Sequence, residues 1–149
     1  MVGWAILTAN IAATLYMTGL IWFVQIVHYP LMATVSPASF TAYSIAHQRL
    51  TTWVVGPAML IEAVTSALLV RWHPPGVHST IAIAGFVLIL FIFCRTGFVQ
   101  VPQHRRLATE YDRDTCRELV ISNWWRTIAW TMRSAIVLYL LMACAIFEG

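Results

Sequence analysis

The sequence predicts an all-α protein, a four-transmembrane-helix bundle with short amphipathic helices in the loops after spans one and three. Composition is the first reason, because 60% of the 149 residues are hydrophobic and only 10% are charged, far from the balance of a soluble domain. The mean hydropathy of +0.74 agrees. The second reason is that four apolar stretches each offer the roughly 20 residues that cross a bilayer. They leave room for one integral membrane domain over residues 1–149.

The predicted spans are nearly free of charge. The first has no charged side chain, and the others hold one each, namely Glu62, Arg95 and Arg133. A carboxylate in hydrocarbon costs on the order of 3 kcal/mol on insertion scales, so we expect Glu62 to be paired, protonated or hydrated. The two arginines are the available partners. The spans cover about residues 3–27, 51–70, 79–99 and 127–147.

The connecting segments are predicted to be helical. Ser36 stands before Pro37, the order of an N-cap and a first helical position. The helix that begins there can run into span two, with a kink at Pro57. Over residues 107–119, leucine and tyrosine recur at multiples of four. This pattern is typical of an amphipathic helix that lies along the membrane surface.

The arginines predict the orientation in the membrane. The chain has nine of them and no lysine, and most fall in the loops after spans one and three. The positive-inside rule then places these loops in the cytoplasm and both termini outside, as in a bacterial inner-membrane protein. Acidic residues share the third loop, which indicates a solvated helix face and no nucleic-acid partner. The arginines of this side are Arg49, Arg105, Arg106, Arg113, Arg117 and Arg126.

Polar residues form a stripe on each of three predicted helices. Their spacings of three, four, seven and eleven residues keep each set on one face of a 3.6-residue helix. We therefore expect the three stripes to face a common interior. They consist of Asn10, Thr14, Thr18, Gln25 and His28; of His47, Thr51, Glu62 and Ser66; and of Asn123, Arg126, Trp130 and Arg133.

Three histidines share one predicted depth. His28 ends span one, His47 precedes span two and His104 follows span three, all toward the arginine-rich side. With Glu62 as a fourth group, three imidazoles make a ligand set suited to iron, copper or zinc. Two of the imidazoles could alternatively ligate haem.

A second interpretation of the same residues needs no metal. A histidine or Glu62 acts as a general base, and nearby arginine and asparagine side chains stabilise an enolate or phenolate formed from an apolar substrate. The candidate catalytic residues are Tyr43, Glu62, Arg95, Asn123 and Arg126.

Other roles compete with an enzyme site. Glu62 with Arg95 or Arg133 could form a buried ion pair that only fixes the packing. The polar stripe could instead carry a proton, a metal ion or a small acid in a transport or binding protein. Past Thr18 that stripe offers only Thr14 and Asn10, which argues mildly against transport. A subunit that merely scaffolds a partner would leave the buried carboxylate without a purpose.

Three short motifs carry a resemblance to a known family. They are His28-Tyr29-Pro30, Val101-Pro102 followed by Arg106-Leu107, and Asn123-Trp124-Trp125-Arg126-Thr127. With these motifs in order, the chain resembles the anthrone oxygenase-like family of small four-helix integral membrane proteins. The resemblance implies the fold and an oxygenase activity on a polycyclic aromatic molecule. It marks His28, Arg106, Asn123, Arg126 and Thr127 as site positions.

The chain departs from that family at Arg105, where members often have asparagine. A looser similarity to the small membrane protoporphyrinogen oxidases, which have a histidine near the end of an early span, keeps haem as an alternative.

We therefore expect a membrane-embedded oxidoreductase, an oxygenase or oxidase acting on a lipophilic, aromatic small molecule near the cytoplasmic side. Iron or copper, bare or in haem, and cofactor-free oxygenation all stay open. The expected partners are the lipid bilayer and the substrate, and a homo-oligomer is compatible with the sequence. The expected substrate-binding residues are Gln25, Arg106, Thr127, Trp130 and Arg133.

Overall fold

Four long helices make up the protein in the computed structural model, which describes residues 1–148. Each is long and apolar enough to cross a membrane, so the predicted all-α four-helix architecture and integral membrane character are confirmed. No strand occurs among the described residues. The helices are α1 (Val2–Met32), α2 (Pro37–Arg71), α3 (Ser79–Leu107) and α4 (Arg113–Glu148).

The helices are arranged around a shared interior. Helix α1 packs against α2 and α4, and α3 packs against the same two helices, which leaves α1 and α3 diagonally opposite. Buried apolar side chains fill the interior in three clusters along the bundle, centred on Leu7, Trp130 and Phe40. Outward-facing side chains are apolar too, as Trp53 and Phe98 illustrate with 77% and 82% exposure. Such a surface suits contact with lipid.

The helices extend beyond the predicted spans on the arginine-rich side. Helix α2 begins at Pro37, as the Ser36-Pro37 pair predicts, and continues through Pro57. A 35-residue helix such as α2 is about 52 Å long at ~1.5 Å per residue, more than the ~30 Å hydrocarbon core. The separate helix predicted over residues 107–119 does not form: Leu107 ends α3, residues 108–112 are a non-helical connection, and Arg113 begins α4, which continues without a break into span four.

Two π-helical turns, which the sequence analysis did not predict, interrupt α1 and α3. They cover Val24–His28 and Thr96–Gln100, and Pro30 and Pro102 lie two residues beyond them. A π-turn adds one residue to a helical turn, so it rotates every later side chain by about 100° relative to an unbroken helix. Both turns lie toward the arginine-rich side, where they decide which side chains face the interior.

The turn between α2 and α3 depends on one glycine. Gly76 has a φ of 84°, which L-amino acids with a side chain rarely adopt. A Cβ atom at this position would lie 2.9 Å from the Cβ of Phe147. The turn therefore packs directly against the end of α4.

A buried ion pair lies at the centre of the bundle. The Arg133 Nε atom donates to the Glu62 Oε1 atom at 2.7 Å, and the two side chains are 1% and 0% exposed. The hydroxyl of Thr14 donates to the same oxygen at 2.8 Å. The indole Nε1 of Trp130 donates to the other oxygen, Oε2, at 2.9 Å. Both carboxylate oxygens of Glu62 are thus hydrogen-bonded.

The rest of the Arg133 guanidinium is satisfied as well. Its Nη1 donates to the carbonyl of Gly85 in α3. Its Nη2 lies within hydrogen-bonding distance of the Thr14 hydroxyl at 3.2 Å, the Asn10 Oδ1 at 3.3 Å and the Ser66 hydroxyl at 2.9 Å. This polar network joins all four helices. Arg133, and not Arg95, is the partner of the buried carboxylate.

Replacing Arg133 by methionine should lower the free energy of unfolding by about 3–5 kcal/mol, because it leaves Glu62 buried without its cation. Unfolding by sodium dodecyl sulfate in mixed micelles measures the change. The matched control is Arg106→Met, which breaks the 2.7 Å pair with Asp112, where the arginine side chain is 67% exposed. A change of about 1 kcal/mol or less is expected there. Equal losses in both variants would contradict the central role of Glu62 and Arg133.

Candidate functional site

The structure brings the three predicted histidines together. The rings of His28 and His47 stack with centroids 4.3 Å apart and planes inclined by 17°. The ring of His104 lies 5.7 Å from that of His47, at 38°. Helices α1, α2 and α3 each supply one imidazole. His28 lies at the end of span one, and His47 and His104 lie on the extensions of α2 and α3 beyond the predicted spans.

Hydroxyl groups hold two of the rings. The Tyr43 hydroxyl lies 3.2 Å from the His28 Nε2. The Tyr43 ring is nearly parallel to the His47 ring, with centroids 6.0 Å apart. The Thr51 hydroxyl lies 3.2 Å from the His47 Nδ1. Which atom donates depends on the imidazole tautomer. The ring nitrogens of His104 have no hydrogen bond to the part of the chain that the structure describes, so they are available to a ligand.

Stacking is a poor arrangement for a metal site. The lone pair of an imidazole nitrogen lies in the plane of the ring, so near-parallel rings such as those of His28 and His47 direct their lone pairs side by side. A 4.3 Å separation also leaves no room for a macrocycle between these rings. Glu62, the expected fourth ligand, is bonded to Arg133. Among residues 1–148, no group of three or more histidine, cysteine, aspartate or glutamate side chains is arranged to hold a metal ion.

A cavity of about 350 Å³ opens beside the histidines, within the usual size range of small-molecule sites. All four helices contribute to its lining. The charged and imidazole side chains of the lining lie toward the arginine-rich side, and Met17 and Met59 lie deeper in the bundle. The lining includes Met17, Ile21, Tyr29, His47, Gln48, Thr52, Val55, Gly56, Met59, Gln100, Val101, His104, Arg105 and Arg126.

Arg126 is the buried cation of this cavity, and it is 8% exposed. Its Nη1 donates to the Asn123 Oδ1 at 3.0 Å. Its guanidinium carbon lies 5.1 Å from the centre of the Trp130 ring, a cation–π distance. The Nε atom is buried and has no hydrogen-bond partner, and no carboxylate of the described residues pairs with this arginine. The guanidinium can therefore donate hydrogen bonds to a negatively charged oxygen.

Two neutral side chains orient Arg126. The Nδ2 of Asn123 donates to the Gln25 Oε1 at 2.8 Å, and the Gln25 Nε2 donates to the carbonyl of Val120 at 3.3 Å. Asn123 therefore receives one hydrogen bond from the arginine and gives one to the glutamine. Both amides are buried and neither lines the cavity. They hold the guanidinium of Arg126 in place from behind the cavity wall.

Several predicted site residues lie elsewhere. Arg106 pairs with Asp112 at the surface, where the Thr115 hydroxyl and this arginine hold the pKa of the Asp112 carboxyl below its ordinary value. The Thr127 hydroxyl donates to the Asn123 carbonyl in its own helix. Arg95 does not line the cavity, and its Nε is buried without a partner. Among the described residues, two arginines line the cavity, Arg105 and Arg126.

The sequence analysis missed a second buried glutamine. Gln100 donates from Nε2 to the Ser122 hydroxyl at 2.7 Å, and its Oε1 lies 3.4 Å from the Tyr29 hydroxyl. A signal was present, because Phe-Val-Gln occurs at residues 23–25 and again at 98–100, and a proline follows each time. Arg105, which interrupts the family pattern, is also a lining residue.

Comparison of the chain with protein-family models, curated proteins and solved structures finds no match. The resemblance to the anthrone oxygenase-like family therefore stays a prediction from three short motifs.

Replacing Asn123 by alanine should cost about 1–3 kcal/mol of unfolding free energy, because it leaves both the Arg126 Nη1 and the Gln25 Oε1 without a partner in a buried site. The same detergent unfolding measurement tests this. Thr127→Val is the matched control, since it removes a buried hydroxyl that bonds only within its own helix, and we expect a smaller loss. A larger loss for Thr127→Val would show that the Gln25–Asn123–Arg126 arrangement is not what stabilises this region.

Proposed function

We propose that the protein is a membrane-embedded oxidoreductase that oxygenates a lipophilic aromatic molecule with an enolisable carbonyl group. One observation carries the proposal. Arg126 is a buried cation that lines the cavity without a carboxylate partner, and His104 lines the same cavity with ring nitrogens that no described group hydrogen-bonds. A cation and a neutral base around an apolar space are the groups that formation of an enolate requires.

The residues divide the first step between them. A ring nitrogen of His104 takes a proton from a CH₂ carbon that is conjugated with the substrate carbonyl, as the methylene group of anthrone is. The electron pair of the broken C–H bond moves to the carbonyl oxygen, and Arg126 binds the oxyanion that forms. Asn123 and Gln25 fix the guanidinium before the reaction, which makes the stabilisation pre-organised. His47 lines the cavity beside His104. His28 and Tyr43 pack against the ring of His47 and do not line the cavity.

Dioxygen is the oxidant in the second step. It adds to the enolate carbon and takes a proton from the His104 imidazolium, which gives a hydroperoxide. Loss of water from the hydroperoxide, with removal of the remaining hydrogen on that carbon, leaves a carbonyl group. The sum is conversion of CH₂ and O₂ to C=O and H₂O, in which the carbon loses four electrons and dioxygen gains four.

Transport is the weaker alternative. A proton or ion path needs polar groups that can change partners along the whole membrane. Past the cavity, the polar side chains of Glu62, Arg133 and Asn10 are already bonded to one another and to Ser66. Breaking this network would leave Glu62 or Arg133 charged and unpaired in the membrane interior, at a cost of several kcal/mol.

Arg126→Gln should lower kcat/KM about 100- to 1,000-fold through loss of oxyanion stabilisation, and His104→Gln should lower it about 100- to 10,000-fold through loss of the base. The measurement is oxygen uptake by purified protein in lipid nanodiscs, with anthrone as the probe. Matched controls are Arg113→Gln and His78→Gln, which change exposed residues of the same types outside the cavity. Both should retain normal turnover.

Two outcomes would overturn the proposal. One is normal oxygen uptake in both Arg126→Gln and His104→Gln. The other is turnover that rises and falls with bound iron or copper, measured by elemental mass spectrometry of protein purified without added metal or chelator. That result would favour the metal-dependent interpretation of the histidines.

A further inference from the structure

We propose that the cavity takes its ligand sideways from the membrane leaflet on the arginine-rich side, through a gap between α2 and α3 beside Gly56. The ligand class is an amphiphile with one acidic oxygen and an apolar body. This inference deepens the proposed function and rests on it for the identity of the site, but it does not depend on the oxygenation step.

The polarity of the cavity runs in the same direction as that of the adjacent leaflet. His104, Gln48 and Arg126 line the end nearest the arginine-rich side, and Met17 and Met59 line the deeper end. A lipid-soluble acid in that leaflet has its head at the interface and its apolar part toward the bilayer centre. It can therefore slide into the cavity without turning over.

The opening lies between α2 and α3. On α1 and α4 every lining residue is buried, as Ile21 and Arg126 are, or partly buried, as Leu20 and Val24 are. By contrast, the lining residues Thr52 on α2 and Val101 and Arg105 on α3 are exposed. A residue that both lines a cavity and faces outward belongs to its mouth. The mouth therefore faces the lipid-covered side of the bundle.

Gly56 keeps this gap wide. It lines the cavity, and a Cβ atom added there would have nothing within 4 Å. Any other side chain on α2 at this position would occupy the gap. A glycine inside a helix costs roughly 0.5–1 kcal/mol relative to alanine, and the helix itself offers no packing reason for it here.

The charges favour an acidic ligand. Arg105 is exposed at the mouth, and Arg126 lies buried inside with an unbonded Nε. An anionic head thus meets one cation at headgroup level and a second, poorly hydrated one within the cavity. A neutral amphiphile of the same shape gains neither interaction.

The test uses a 2-hydroxy-3-alkyl-1,4-naphthoquinone, whose acidic enol is ionised at neutral pH, and its methyl ether as the neutral analogue. Both are added to nanodiscs that contain the wild-type protein, and quenching of tryptophan fluorescence is followed against the mole fraction of probe in lipid. Trp130 lies under Arg126 and reports occupancy. We expect saturable quenching by the enolate and only linear, collisional quenching by the ether.

Gly56→Leu should weaken saturable binding about tenfold or more, because it fills the gap. Gly19→Leu is the matched control. Like Gly56, Gly19 is a helical glycine with nothing within 4 Å of an added Cβ atom, but it does not line the cavity. Binding should be unchanged in this control. Arg126→Gln should weaken binding of the enolate about tenfold to a hundredfold and leave the ether unaffected.

The outcomes separate the two proposals. Wild-type affinity in Gly56→Leu overturns the lateral route, and equal binding of enolate and ether overturns the acidic ligand class. Absence of saturable binding in the wild type overturns both parts of the inference. Saturable binding that depends on Gly56 and Arg126, in protein that consumes no oxygen with anthrone, supports the inference and rejects the oxygenase.

Discussion

The Glu62–Arg133 pair is the constraint on which the rest of the structure depends. Either charge alone in the membrane interior would cost several kcal/mol, and the pair is tolerable only with every remaining hydrogen bond made. Thr14, Trp130 and the Gly85 carbonyl supply those bonds from three helices, while Glu62 lies on the fourth. The pair therefore fixes the rotation and height of every helix at once, including the parts of α1 and α4 that lead to the cavity.

Two buried arginines on α4 illustrate how differently the same group can be used. Every guanidinium nitrogen of Arg133 donates to a protein acceptor, whereas Arg126 has one protein acceptor and an Nε without a partner. Trp130 lies between them: its indole nitrogen donates to Glu62 and its ring faces Arg126. The hydrogen-bonded network of Glu62 and Arg133 thus supports the position of Arg126 through the rigid ring of Trp130.

The sequence predicted the helices and much of the polar interior, because apolar length and 3.6-residue spacing report directly on membrane spans and helix faces. It left open whether Arg95 or Arg133 pairs with Glu62, because span limits fix depth only within a turn or two. It also missed Gln100 and the cavity. Both depend on the π-turn at Thr96–Gln100, which shifts the face of α3 and is marked in the sequence only by the repeated Phe-Val-Gln and the later proline.

The position of the cavity follows from the competing costs of hydrating a charge and burying an apolar body. Deeper in the membrane, a free guanidinium such as that of Arg126 would lose more hydration than one asparagine could replace. Farther out, the cavity would lose the apolar floor formed by Met17 and Met59. Helices that extend past the hydrocarbon core on one side create a boundary zone where both needs are met. A site built there from His104 and Arg126 can hold an oxygen-bearing head in a polar setting while the attached ring system stays in contact with apolar side chains.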